Sequence, residues 1–181
     1  MEDLSLHILD IVENSIRSGA REIQILIREE PAADLLEIEV KDDGMGMNAE
    51  TQAKALDPFY TTRSTRRIGL GLSLFRESAR QAGGDLVVAS VPGKGTCIKA
   101  TFQLSHIDRK PIGDMGQTLQ TLMIGNPDIH YRYIHFENGK ENHFDSRDLD
   151  PSHNDVTGAG GEDLSAQEEP APAFHTSEEQ A

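Results

Sequence analysis

The chain carries one cysteine, Cys97, in 181 residues. A single thiol excludes an internal disulfide and points to a reducing compartment. Apolar residues are scarce as well: they make up 36% of the sequence, and the mean hydropathy is −0.48. That is low for a chain folded along its whole length, so part of it is expected to lie outside any core. No apolar run approaches membrane-spanning length and no signal peptide opens the chain, which reads as soluble and cytoplasmic. Bases are few, with 17 Lys and Arg against 31 Asp and Glu, a net charge of −14. Residues 146–181 hold nine acids and one base, Arg147, so −8 belongs to the tail and −6 to the rest. No basic face argues for nucleic acid. The tail is rich in Gly, Ala, Pro, Ser, Glu and Asp, buries too little to offset its ordering entropy, and is expected to be disordered.

What is present alternates between two periods. Leu4, Ile8, Ile11, Val12 and Ile16 recur at helical spacing over residues 3–18, with His7, Asp10, Asn14 and Arg17 on a second, polar stripe and Gly19 as the end signal. Residues 21–30 and 35–42 alternate as strands, presenting Ile23, Ile25 and Ile27, then Leu36, Ile38 and Val40. Asn48 opens a short helix to about Leu56, and a longer helix runs from Leu70 to Ala82 before Gly83-Gly84. Its apolar positions are Leu70, Leu74, Phe75, Ala79 and Ala82. Strands follow at 85–91, with Val87, and 96–104, joined by Pro92-Gly-Lys-Gly95. The pattern predicts an α+β two-layer sandwich, three helices over a mixed four-stranded sheet. Residues 105–145 predict an appendage of one helix, from Met115 to Ile124, and a hairpin turning at Asn138-Gly139. The expected division is thus 1–104, 105–145 and 146–181.

The chemistry gathers around residues 57–72, where Phe59 leads into a polar run with Arg63, Arg66 and Arg67 that ends in Gly69-Leu70-Gly71-Leu72. Glycines at a helix start let backbone N–H groups approach an anion, and the helix dipole adds positive potential. Asn14 stands mid-helix, Asp42-x-Gly44-x-Gly46 follows a strand directly, and Gly93-x-Gly95-Thr96 sits in the last hairpin. Taken singly, each glycine is an ordinary turn or cap. In this order and spacing, over residues 4–104, they resemble the GHKL superfamily of ATP-binding domains, shared by histidine kinases, anti-sigma serine kinases, gyrase-type topoisomerases, Hsp90 and MutL.

The resemblance implies a Bergerat-type sandwich that binds ATP and magnesium. Asn14 would supply an amide oxygen to the Mg2+, and Asp42 would accept from the adenine amino group, with Thr96 near the base. Gly44 and Gly46 would pass close to base and ribose. Gly69, Leu70, Gly71 and Leu72 would hold the phosphates. Arg63 would lie in a lid pinned by Phe59, and Arg66 and Arg67 are either phosphate contacts or a solvated loop. Asp10, four residues before Asn14, occupies the position of a glutamate that activates the nucleophile in hydrolysing and serine-phosphorylating members. Asp10 either acts as a base through water or tunes the magnesium shell. Glu13 and His7 are weaker candidates.

Pro58 to Leu72 looks most like the histidine-kinase catalytic domain, and Val12 to Ile16 is closer to MutL and the topoisomerases. With few residues before the first helix, the expectation is a stand-alone module lacking a phospho-acceptor hairpin. It would be a kinase or ATPase acting in signalling on a partner protein, at serine or histidine; alternatively, it is an ATP-gated interaction module, an anti-sigma-like regulator with little catalysis. Homodimerisation is left open. A metal site at His130, His135 and His143 is disfavoured, because residues an odd number apart face opposite sides of a strand.

Overall fold

A computed structural model describes residues 3–56 and 70–149. Helix α1 spans Leu4–Arg17 and begins where the Asp3 carboxylate accepts from the Leu6 amide at 3.1 Å. It ends at Gly19, whose φ of +81° is open to glycine at little cost. Strand β1 (Glu22–Glu30) turns through a 3-10 segment, Pro31–Ala33, into β2 (Leu35–Asp42). Helix α2 is short (Ala49–Lys54), and α3 covers Leu70–Gln81. Strands β3 (Leu86–Val91) and β4 (Gly95–Gln103) precede α4 (Met115–Gly125), β5 (His130–Glu137) and β6 (Lys140–Asp145).

The sheet corrects the expected strand count. It is one six-stranded sheet in the order β3-β4-β2-β1-β5-β6, with β1 and β5 parallel and the other neighbours antiparallel. The 105–145 segment is therefore built into the sheet. Strand β5 takes the free edge of β1, reached by the crossover through α4, and β6 extends it. Alternation reports which face a side chain takes, never which edge a hairpin joins, so this pairing had no signal in the sequence.

One core joins the layers. Ile23, Ile25, Ile27, Leu36, Ile38, Val40, Leu86, Val88, Ile98, Ala100, Phe102 and Tyr131 pack against Leu4, Ile8, Ile11 and Val12 of α1 and Phe75, Ala79 and Ala82 of α3. Met115, Leu119 and Leu122 of α4 belong to the same cluster. Each fully buried Ile, Leu or Phe contributes about 1.5–3 kcal/mol by removing apolar area from water. On β3 the expected parity is off by one: Leu86 and Val88 are buried, and Val87 is exposed. Leu74, expected inward on α3, is exposed too, while Leu72 is partly buried against the core. Ser146–Leu149, assigned above to the tail, forms a short 3-10 helix whose Ser146 hydroxyl accepts from the Tyr131 amide at 2.9 Å. The expected disorder of 150–181 concerns residues outside the described ones. Among the described residues no helix is long and apolar enough to cross a membrane.

Candidate functional site

Strand pairing sets one row of polar side chains across the helix-covered face. Asp42 on β2 pairs with Thr96 on β4, and Thr96 pairs with Ser90 on β3. Antiparallel partners in register present their side chains to the same face, so these three stand side by side. Asp42 is buried at 7% exposure. Its Oδ1 accepts from the Gly44 amide at 2.9 Å and the Thr96 amide at 3.2 Å. Its Oδ2 accepts from the Ser15 hydroxyl at 2.7 Å, which ties the last turn of α1 to the strand end. A buried carboxylate needs such donors, and three are supplied. As an ionised group it can only accept, so its free lone-pair direction suits a ligand N–H.

The glycines around Asp42 are required by the protein itself. Gly46 has φ +64°, and a Cβ there would overlap the Val91 carbonyl. Gly95 has φ +97°, and its Cβ would overlap the Asp42 carbonyl. A Cβ at Gly44 would press on Ser18. The turn after β2 is thereby wedged between α1 and the β3–β4 hairpin, where Met45 N–H donates to Ser18 O at 3.0 Å and Gly93 N–H to Met45 O at 2.8 Å.

Asp10 and Asn14 lie on α1 one turn apart, with Asp10 partly buried and Asn14 exposed. A Cβ at Gly71 would stand 3.3 Å from the Asp10 carboxyl, so the first turn of α3 approaches α1 at that residue. Asn14 Oδ1 accepts from the Arg17 guanidinium at 3.1 Å, while Arg17 also pairs with Glu13. An amide oxygen already facing a cation, with a carboxylate one turn away, is a donor set that fits a hard, oxygen-seeking ion such as magnesium. His7 departs from the polar stripe on which it was placed: it is 1% exposed and stacks on Phe75 with ring centroids 5.1 Å apart. Burial, reinforced by the Lys110 charge, pushes its pKa down to about 4, so the ring is neutral near pH 7.

Phe59, Arg63, Arg66, Arg67 and Gly69 lie outside the described residues. Leu70 opens α3, and Leu72 follows Gly71 in its first turn. The histidines of the last hairpin do not converge. His130 pairs with Asp145 at 2.6 Å and His135 with Glu29 at 2.9 Å, and among the described residues no group of three or more potential ligands gathers to hold a metal.

Three contributors escaped the sequence reading: Ser15, Ser90 and Gln52. The Ser90 hydroxyl lies 2.9 Å from that of Thr96 and accepts from the Met47 amide at 2.8 Å. Gln52 of α2 clamps the outer edge of β3, accepting from Ser90 N–H at 3.1 Å and donating to Val88 O at 2.9 Å. A serine in a strand and a glutamine in a helix carry no motif; only a strict strand register could have matched Ser90 to Thr96.

With that geometry in place, comparison with known proteins is direct. The sequence pattern of the family described as histidine kinase-, DNA gyrase B- and HSP90-like ATPase matches residues 2–106. The sensor protein kinase FleS of Pseudomonas aeruginosa is 38% identical over 105 residues, which cover 58% of this chain and 25% of that protein. The sensor histidine kinase WalK of Bacillus subtilis is 35% identical over 115 residues, 58% of this chain and 18% of that one. The non-motile and phage-resistance protein of Caulobacter vibrioides is 31% identical over 112 residues, 57% and 13% respectively. The chain thus spans a quarter or less of the length of these relatives. A solved N-terminal domain of a DNA repair protein shares the fold, with a TM-score of 0.57 at 19% identity over 79% of this chain and 52% of that one.

Proposed function

Because the chain belongs to the histidine kinase-, DNA gyrase B- and HSP90-like ATPase family, we propose that it binds magnesium-ATP and uses it on a partner protein in signalling, by phosphoryl transfer or hydrolysis. The observation that carries the reading is the buried Asp42 carboxylate, held by Ser15, Gly44 and Thr96 with acceptor capacity to spare. A base that offers an amino group meets it with a charge-assisted hydrogen bond. Asn14 would hold the metal, which supplies charge neutralisation on the phosphates when bound. Asp10, set against Gly71 at the start of α3, would take a proton from a nucleophile, directly or through water. The single cysteine supports a reducing, cytoplasmic setting.

One contact favours a second reading, in which nucleotide gates an interaction. Arg17 donates to the Asn14 oxygen and pairs with Glu13, so a metal held at that oxygen would leave the guanidinium to Glu13 alone and alter the charged surface at the end of α1. Calorimetric titration of magnesium-ATP tests the binding. Asp42→Asn is expected to weaken affinity at least about 30-fold, on the order of 2 kcal/mol, because the amide turns a donor toward the base. Phosphate release and transfer to candidate partners, for wild type and Asp10→Asn, separate the readings. Binding without turnover or transfer leaves the gated module, and no binding at all sinks both.

A further inference from the structure

We propose that Ser90 is a specificity-determining residue of the base pocket: it aims the Thr96 hydroxyl hydrogen away from the ligand, so that Asp42 and Thr96 offer acceptors alone and a 6-amino purine is favoured over a 6-oxo purine. The inference rests on the ATP-binding reading above.

The hydrogen count carries it. Ser90 Oγ has one hydrogen and two neighbours for it: Gly95 O at 3.0 Å can only accept, whereas Thr96 Oγ1 can donate or accept, so satisfying both contacts assigns the hydrogen to Gly95 O. It also accepts from the Met47 amide at 2.8 Å. The 2.9 Å contact with Thr96 Oγ1 can then be satisfied only if Thr96 donates. With its hydrogen committed to Ser90, the Thr96 hydroxyl has only lone pairs left to offer a base. Asp42 beside it is acceptor-only, with Gly44, Thr96 and Ser15 donating to it from within the protein. Ser90 is itself fixed in place, because Gln52 grips the β3 edge at Ser90 N and at Val88 O two residues before it.

A 6-amino group donates into this arrangement. A 6-oxo group sets acceptor against acceptor, and a site built to receive an N–H rejects the analogue that lacks it. Ser90 touches no ligand in this scheme; it acts through Thr96, as a positioning residue. Without its oxygen, the Thr96 hydroxyl is free to turn and donate to an oxo group.

The test is equilibrium titration of the full chain with magnesium-ATP and magnesium-ITP, which differ at the 6-position, amino against oxo, and with it at N1, an acceptor in adenine and an N–H in hypoxanthine. Wild type is expected to favour ATP strongly. Ser90→Ala is expected to lower the ATP:ITP affinity ratio about tenfold, or about 1.4 kcal/mol, chiefly through tighter ITP. Ser90→Cys, similar in size and a weak acceptor, moves the ratio the same way, and Ser90→Thr keeps it. In a Thr96→Val background, Ser90→Ala changes the ratio less than about twofold, because residues acting through one hydroxyl are not additive. An unchanged ratio in both Ser90→Ala and Ser90→Cys overturns the proposal, as does a shift that persists without the Thr96 hydroxyl. Wild type that binds neither nucleotide overturns the ATP reading beneath it, a result distinct from a bound but undiscriminated pair.

Discussion

The Ser15 hydroxyl donates to Asp42 Oδ2 at 2.7 Å, both residues buried, across 27 positions of sequence. This bond makes α1 a support for the strand end that carries the candidate base-recognising carboxylate. Ser15→Ala removes a donor from a buried charge and is expected to cost about 1.5–3 kcal/mol. Urea denaturation should show a lower midpoint at unchanged m-value, together with weaker ATP binding. A full-stability variant would mean that the bond is incidental.

Gly46 and Gly95 are predicted to be intolerant of any side chain. Both have positive φ, and both would drive a Cβ into a neighbouring backbone carbonyl, of Val91 and of Asp42 respectively. Strain in the left-handed region alone costs about 1–2 kcal/mol, and backbone overlap adds to it. Gly95→Ala should shift β4 against β2 and impair nucleotide binding. Gly93→Ala, with φ +75° and nothing within 4 Å, keeps the strain without the overlap and is expected to be milder in melting temperature and in binding.

Much of this site is legible in the sequence because its parts sit at element ends, where spacing reports position. Asp42 closes an alternating strand, Asn14 lies in the last turn of α1, and Gly44 and Gly46 follow the strand at once. What stayed hidden depends on neighbours distant in sequence. Periodicity places the last hairpin as two strands but cannot choose the β1 edge. A slip of one residue hid Leu86 and Val88 behind Val87. His7 was assigned to the polar stripe by residue type, and a ring that stacks on Phe75 behaves as an aromatic apolar group.

His7 makes stability depend on pH. Its folded pKa is depressed to about 4, below the ordinary 6.5, with burial the first cause and Lys110 the second. The unfolded chain therefore binds the proton more readily, and stability rises with pH across that window. The contribution is complete above about pH 6.5 and is lost progressively as pH falls toward 4, amounting to about 3 kcal/mol by the usual conversion. Denaturation midpoints at pH 7.5 and pH 4.5 should differ markedly in wild type and much less in His7→Leu. Equal slopes in the two proteins would remove His7 as the cause.

The family match stops at residue 106, yet residues beyond it complete the start of α1, cover the edge of β1 and, through α4, enter the core. Pro111 O and Ile112 O accept from the amides of Leu4 and Ser5, at 2.9 and 2.7 Å, completing the start of α1. Strand β5 covers the edge of β1 over seven paired positions, and its fully buried Tyr131 joins the core. A chain cut after residue 106 leaves those amides unpaired, opens a strand edge rich in Ile, and empties the Tyr131 site. Loss of a buried aromatic alone costs about 3–5 kcal/mol. The 1–106 fragment is therefore expected to melt more than about 10 °C below the full chain or to aggregate, whereas 1–149 should melt within about 3 °C of it. Tyr131→Ala in the full chain should reproduce part of the loss. A 1–106 fragment as stable as the parent would make the hairpin a passenger on the sheet rather than a part of it.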